Sequence, residues 1–416
     1  MHKSMCIISV ALFGLFSVSV SVYGQTSGEL TIEKAVSMAV QNNPELHSLR
    51  YEIDALEAAK LQSGLMPNPE FGVEAENILG SKDFNGFGNS EITAFISQDI
   101  LLAGKINKRV KVSESNISLA EWDYETKRIE IITDIRRAFQ NALAVQLIVE
   151  KNEELIRISE EFMTNLQRRV DAGKISPAEI SRAKIILNSL KIDLNRLQSE
   201  YEIYKVELLS LIYQPDLTID SLAGELKYPI DIPSYDSLLE QLENNPKLKR
   251  YESEYAKRTA VANFEESKAV PDLTISAGFR RLNNVNANTF LIGASIALPI
   301  FDGNQGAIQE AKIRIGQKKR EYESVKNRLT LQLNVLYKRM MAVTSTADQL
   351  KNESIPQAKE AFKIIKEGNL VGRFAILDVL DTERTLFELQ NQYLNIIGEI
   401  YSVQTEIEGL IAKEIK

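Results

Sequence analysis

The chain has 416 residues, enough for two or three ordinary domains, with a net charge of −8 from 49 Lys and Arg against 57 Asp and Glu. Aromatic residues make up only 7% of it, a balance that favours long helices over a compact aromatic core. The charges are interspersed, so no basic patch points to nucleic acid, and most of them read as solvated helix faces.

In chain order, His2 and Lys3 precede an apolar, Ser-containing run from Cys6 to Val22. This reads as a secretory signal over residues 1–24, removed near Gly24 and Gln25. Cys6 is the one cysteine and lies inside that signal without the context of a lipid-anchored terminus, so no lipidation, disulfide or thiolate site is expected. Beyond the signal no run of about 18 apolar residues follows, so any membrane crossing has to use strands in a closed barrel.

The remainder is duplicated. Asn42-Asn43-Pro44-Glu45-Leu46 recurs as Asn244-Asn245-Pro246-Lys247-Leu248, a shift of 202 (244 − 42). Gly104 aligns with Gly303 and Gly173 with Gly372, both shifted by 199 (303 − 104; 372 − 173). The first repeat is expected over residues 25–214, a Pro-containing linker over 215–233 and the second repeat over 234–416.

Each repeat opens with an amphipathic helix, about 31–65 and 234–268, and is broken by Pro67 and Pro69 or by Pro271. Two strands follow, about 69–79 and 90–100 in the first repeat and 272–281 and 289–299 in the second. Leu273, Ile275, Ala277 and Phe279 alternate with Thr274, Ser276, Gly278 and Arg280. Such runs of about ten residues with one apolar face match outer-membrane strands, although a soluble hairpin has the same alternation. Very long helices are then expected over about 104–170 and 304–367. Leu329, Leu333, Leu336, Met340, Val343, Ala347 and Leu350 step by fours and threes, a coiled-coil seam. Each rod turns at a glycine and returns as a helix, about 177–212 and 375–413. Four strands cannot close a barrel and open edges cannot face lipid, whereas three chains would supply twelve strands (3 × 4).

Three stretches carry a family resemblance: Leu298-Pro299-Ile300-Phe301-Asp302-Gly303-Asn304-Gln305-Gly306, Arg169-Val170-Asp171-Ala172-Gly173-Lys174-Ile175-Ser176-Pro177, and Gly372-Arg373-Phe374-Ala375-Ile376-Leu377-Asp378. With them the chain resembles the TolC-like outer-membrane efflux proteins, in particular their heavy-metal (CzcC-like, cobalt–zinc–cadmium) branch. The resemblance implies a mainly α fold with transmembrane β-strands, assembled as a homotrimer with a twelve-stranded barrel in outer-membrane lipid and a helical tunnel in the periplasm. It implies a passive duct, not an enzyme, docked on a periplasmic adaptor protein and an inner-membrane RND exporter. A multidrug or type I secretion duct of the same fold and a soluble periplasmic coiled-coil scaffold are the alternatives.

The same resemblance places Asp378 and Asp381, three apart on one helix face, at the periplasmic aperture. Acids also favour a helix's first turn on their own account. Their repeat counterparts are Glu179 (378 − 199) and Arg182 (381 − 199), and Arg182 or Arg373 is expected to pair with the two acids when the aperture is closed. The turns bearing Gly173, Lys174, Ile175 and Ser176, and Gly372, Arg373 and Phe374, are the expected adaptor-docking tips. His47 is alone after the signal, no Cys or His cluster exists, and neither a metal site nor a cofactor is expected.

Overall fold

The computed structural model describes residues 28–78 and 80–413; the expected signal, with Cys6, lies outside them. Among the described residues no helix is long and apolar enough to cross a membrane.

The chain opens with β1 (Leu30–Thr31), α1 (Ile32–Asn42) and α2 (Pro44–Ser63). The single opening helix expected over about 31–65 is therefore two. Asn43 ends α1 in an extended conformation, and its side chain accepts hydrogen bonds from the N–H groups of Glu45 (2.9 Å) and Leu46 (3.1 Å). Pro44 then occupies the first helical position, where a missing N–H costs nothing. The second copy of the motif does the same. Asn245 accepts from Lys247 N–H at 2.8 Å and caps α6 (Pro246–Lys268), so the second opening helix is also split, into α5 (Tyr235–Gln241), a short 3₁₀ turn and α6. The repeated Asn-Asn-Pro motif is a helix start inside a bent pair, not a point within one helix.

Four strands form one antiparallel sheet: β2 (Glu70–Glu76), β3 (Glu91–Ile100), β5 (Leu273–Leu282) and β6 (Ala287–Ile296) in that spatial order. The two hairpins are joined through β3 and β5, in a register that sets Ala94 opposite Phe279 and Ile100 opposite Leu273. Strands β2 and β6 are its free edges. A separate two-stranded parallel pair joins β1 to β4 (Leu222–Ala223), docking the linker beside the start of the first repeat.

The rods follow. α3 (Lys105–Asp171) is continuous for 67 residues and turns into α4 (Pro177–Leu211). At about 1.5 Å per residue it is roughly 100 Å long. The second rod was expected to be equally continuous and is not: α7 (Gln305–Gln349) passes through a π turn at Leu350–Ser354 into α8 (Ile355–Leu370), which turns into α9 (Ile376–Leu410). Pro356 explains the break. It has no N–H to give the carbonyl four residues earlier, and its ring clashes there, so the ladder widens locally.

The two rods also start differently from the letter alignment. α3 starts after Gly104 (φ 68°), but the left-handed residue before α7 is Asn304 (φ 59°), one beyond the aligned Gly303. Asn tolerates that conformation, and its side-chain amide donates to the Glu265 carbonyl oxygen at 2.8 Å.

All seven residues of the 3-and-4-spaced seam in the second rod, Leu329 to Leu350, are buried. Those from Leu329 to Ala347 pack with Ile397, Ile400, Val403 and Ile407 of α9. Ile135, Phe139, Ala142 and Leu143 of α3 pack with Leu208 and Leu209 of α4 and with Ala35 and Ala39 of α1.

Candidate periplasmic aperture and lumen

The sheet has two unlike faces. Residues directly opposite in register share a face, which places Phe71, Val73, Ile92, Ile96, Ile275, Phe279, Phe290 and Ile292 together. All eight are exposed, Phe290 at 88% and Ile292 at 90%. A water-facing sheet does not carry such a surface; a lipid-facing one does.

The opposite face holds Glu70, Glu74, Glu76, Glu91 and Asp99, with Arg280 the one base among the strand residues of that face. Glu76 and Glu91 are directly opposed, a destabilising arrangement that Arg280 relieves. Its guanidinium reaches Glu91 at 3.1 Å and Glu76 at 3.5 Å, and donates to Thr93 Oγ1 at 2.9 Å. Sheet and rod are joined by Asp272, which accepts from Leu102 N–H (3.0 Å) and from the Lys105 ammonium (2.7 Å).

At the far end, both glycine turns have the left-handed backbone that glycine alone adopts without strain: φ is 69° at Gly173 and 79° at Gly372. In the first, the N–H groups of Gly173 and Lys174 cap α3 by donating to Val170 O (2.8 Å) and Arg169 O (2.9 Å). Ser176 then caps α4 by accepting from Ala178 N–H at 3.2 Å, with Pro177 next. In the second, Gly372 and Arg373 donate to Asn369 O (3.1 Å) and Gly368 O (2.9 Å). Gly173, Lys174, Ser176, Gly372, Arg373 and Phe374 are exposed and Ile175 is half-buried. Phe374 folds back over Gly368, where an added Cβ would lie 2.5 Å from the ring.

The two tips are tied together. Arg169 donates to Asn369 Oδ1 at 2.9 Å, and Asn369 donates to Phe374 O at 2.9 Å. Beneath them Leu166, Ile180, Ala183, Ile376 and Leu380 form a shared apolar cluster. That Arg169–Asn369 link spans 200 positions and no local signal announces it.

The acids expected at the aperture are exposed, and each has a local partner within the chain. Asp378 accepts from Ala375 N–H at 2.9 Å, steadying the start of α9. Asp381 pairs with Arg384 at 3.1 Å. Arg182 pairs with Glu179 at 3.4 Å, not with Asp378 or Asp381. Arg373 has no ion pair within 4.0 Å among the described residues.

Glu383, two residues beyond Asp381 on α9, was not foreseen. It is only 4% exposed, and burial pushes its carboxyl up to about 7, with Lys366 of α8 offsetting part of the rise. Its place between Leu380 and Leu386 on a buried stripe was the readable signal. His47 is exposed, and its Nε2 lies 2.9 Å from Gln41 O. Among the described residues no group of three or more His, Cys, Asp or Glu is arranged to hold a metal ion.

This architecture has close counterparts. The chain is 30% identical to the cobalt-zinc-cadmium resistance protein CzcC of Cupriavidus metallidurans, covering 94% of this chain and 91% of that one. It is 24% identical to the nickel and cobalt resistance protein CnrC of the same organism, over 70% of this chain and 68% of that one. In fold it superposes on the outer membrane protein VceC of Vibrio cholerae with a TM-score of 0.69, at 19% identity, covering 91% of this chain and 95% of that one. The family described as outer membrane efflux protein matches twice, at residues 35–212 and 238–412, once in each half. The chain belongs to the outer membrane efflux protein family: it is a passive duct of the outer membrane with a helical tunnel in the periplasm, not an enzyme.

Proposed function

We propose that three copies of this chain form the exit duct of an RND-type efflux pump for divalent heavy-metal cations. The observation that carries the cation reading is the inner face of the sheet, with five carboxylates against one guanidinium. A low-dielectric wall around such a lumen concentrates cations inside it. The likeness to a cobalt-zinc-cadmium resistance protein supports the same reading.

What one chain leaves open supports trimerisation. The edges β2 and β6 lack partners among the described residues of one chain, and unpaired edges are not tolerated in lipid. Pairing β6 of one chain with β2 of the next closes twelve strands (3 × 4). Exposed Ile185, Ile192, Ile203 and Val206 on α4, and Leu331 and Val335 on α7, supply apolar stripes for the neighbouring chain to cover.

In that assembly Asp378, Asp381, Glu179, Arg182 and Arg373 surround the periplasmic aperture. Gly173, Lys174, Ile175, Ser176, Gly372, Arg373 and Phe374 meet a periplasmic adaptor that couples the duct to the inner-membrane exporter. The functional units are the repeats at 25–214 and 234–416, with 215–233 joining them.

Deleting this chain and scoring growth on Zn, Co, Cd and Cu salts beside detergents and dyes tests the substrate. Sensitivity to the metals is expected. Sensitivity confined to the organic compounds would overturn the cation reading and leave a multidrug duct.

A further inference from the structure

The linker between the repeats grips both of them, and the two grips hold different things. In the first repeat, Gln146 of α3 accepts from Leu222 N–H at 2.8 Å and from the Tyr201 hydroxyl at 2.9 Å, and donates to Leu222 O at 3.3 Å. There the linker lies on an unbroken helix.

In the second repeat it lies on the π turn. The Tyr228 hydroxyl is 2.7 Å from Asp348 Oδ1 and 3.1 Å from Thr344 O, both on α7 before the turn. Lys351, inside the turn, donates to Tyr228 O at 3.0 Å, and its ammonium stands 5.4 Å from the centre of the Tyr228 ring. That ring meets Tyr393 of α9 edge-on at 6.3 Å. The Tyr401 hydroxyl, also on α9, accepts from Lys227 N–H at 2.9 Å and donates to Lys227 O at 3.0 Å.

Beyond the turn, α8 packs chiefly against α9 and the turn itself. The α8–α9 tip is therefore joined to the rest of the chain through this junction, the body of α9, the small cluster under the tips and the Arg169–Asn369 hydrogen bond. A π turn is a place where a helix bends. A bend there changes the direction of Asp348 relative to Lys351, and both hold one residue, so the bend breaks one grip or the other.

We propose that Lys227 and Tyr228 form a latch across the π turn of the second rod, fixing the angle between α7 and α8 and so holding the second tip against the first. The latch acts on the aperture only if the tips are the aperture, and to that extent it rests on the reading above. Tyr228 is a positioning residue: it touches no cargo, and its effect reaches the tip through α8.

The test uses the full chain purified from outer membranes. Spin labels are placed on Lys174→Cys and Val371→Cys, one on each tip. Tyr228→Phe keeps the ring and removes the hydroxyl bonds, while Lys351→Met removes the bond to Tyr228 O. Both variants are expected to lengthen and broaden the tip-to-tip distance and to raise the ratio of open to closed conductance levels in planar bilayers by roughly 2- to 10-fold, the equivalent of one or two hydrogen bonds.

Gln146→Leu, which loosens the other grip over an unbroken helix, is expected to leave both readouts unchanged. Unmoved tips in both latch variants overturn the proposal, as does Gln146→Leu moving them equally. Recovery of heat-resistant trimers shows that the variants fold. If the tips move while conductance stays fixed, the latch stands and the assignment of the tips as the aperture falls. Asp378→Asn with Asp381→Asn checks that assignment separately.

Discussion

Replacing Glu383 with Gln should make the protein more stable at pH 8 and leave it unchanged near pH 4.5. The Glu383 carboxyl is buried among α9 residues that pack inward, and burial raises it from an ordinary value of 4.5 to about 7. Below 4.5 both folded and unfolded chains hold the proton, so the site contributes no pH dependence. Between 4.5 and 7 the unfolded chain releases it and the folded chain keeps it, so stability falls as pH rises, by about 1.4 kcal/mol per unit. Above 7 both are ionised and the penalty is constant. Across the window it sums to about 3 kcal/mol per chain, which for a chain of this length corresponds to roughly 3–6 °C in melting temperature. Gln has nearly the same shape and no charge to desolvate. Thermal unfolding of the detergent-purified protein at pH 4.5, 6 and 8 reads the effect directly. The gap between variant and wild type should open across that range, and Lys366→Met, which removes the cation opposing the rise, should widen it. An equal gap at every pH, or a loss of stability in the Gln variant at pH 8, would refute the reasoning.

Four further outcomes are expected. Neutralising the aperture acids with Asp378→Asn and Asp381→Asn should raise single-channel conductance, since it removes mutual repulsion and a focused field at the narrow end; an unchanged conductance refutes the aperture assignment. Glu70→Gln with Glu74→Gln removes two of the five lumen carboxylates, leaving three against Arg280. The cation preference, read as a reversal potential across a KCl gradient, should then fall by roughly half, from a net −4 to −2 per chain. Gly372→Val places a β-branched residue at φ 79° with nothing within 4 Å of its Cβ, so the cost is backbone strain alone, about 1–2 kcal/mol in denaturant unfolding. Leu333→Ala empties a fully buried seam position and should cost about 2–5 kcal/mol by the same measure.

What was legible in the sequence was what local chemistry dictates. Gly173 and Gly372 announced both hairpin tips because φ > 0 is a requirement of the turn itself. Strand faces followed from alternation, and the second rod's seam from spacing, because burial on one side imposes a period. The helix break at Asn43-Pro44 was also local and could have been read from the cap and the proline. Other features depend on partners far along the chain. The Arg169–Asn369 tie, the Gln146 and Tyr228 grips on the linker and the pairing of β3 with β5 join residues about 75 to 200 positions apart. The Pro356 break was visible as a residue but not as a π turn, because a proline can also kink or end a helix. Whether it does so depends on what α9 and the linker offer the freed carbonyls.

Duplication gave the chain two copies of one hairpin of helices, and the two copies have diverged at their tips. At the first tip Glu179 is neutralised in its own helix by Arg182. At the second, Arg384 neutralises Asp381 while Asp378 holds the helix cap. The position matching Arg384 in the first copy is Ile185 (384 − 199), and that matching the buried Glu383 is Lys184. The same division runs up the rods. Unbroken α3 packs against α2, α4, α6 and α9, while α8, below the π turn, leans chiefly on α9. A helix with many neighbours resists bending, and a short segment beyond a break with one principal neighbour bends at lower cost. Under the latch proposed above, one copy serves as a strut and the other as the member that moves against it. Two identical copies could not divide the work this way, because any bend favourable in one would be equally favourable in both.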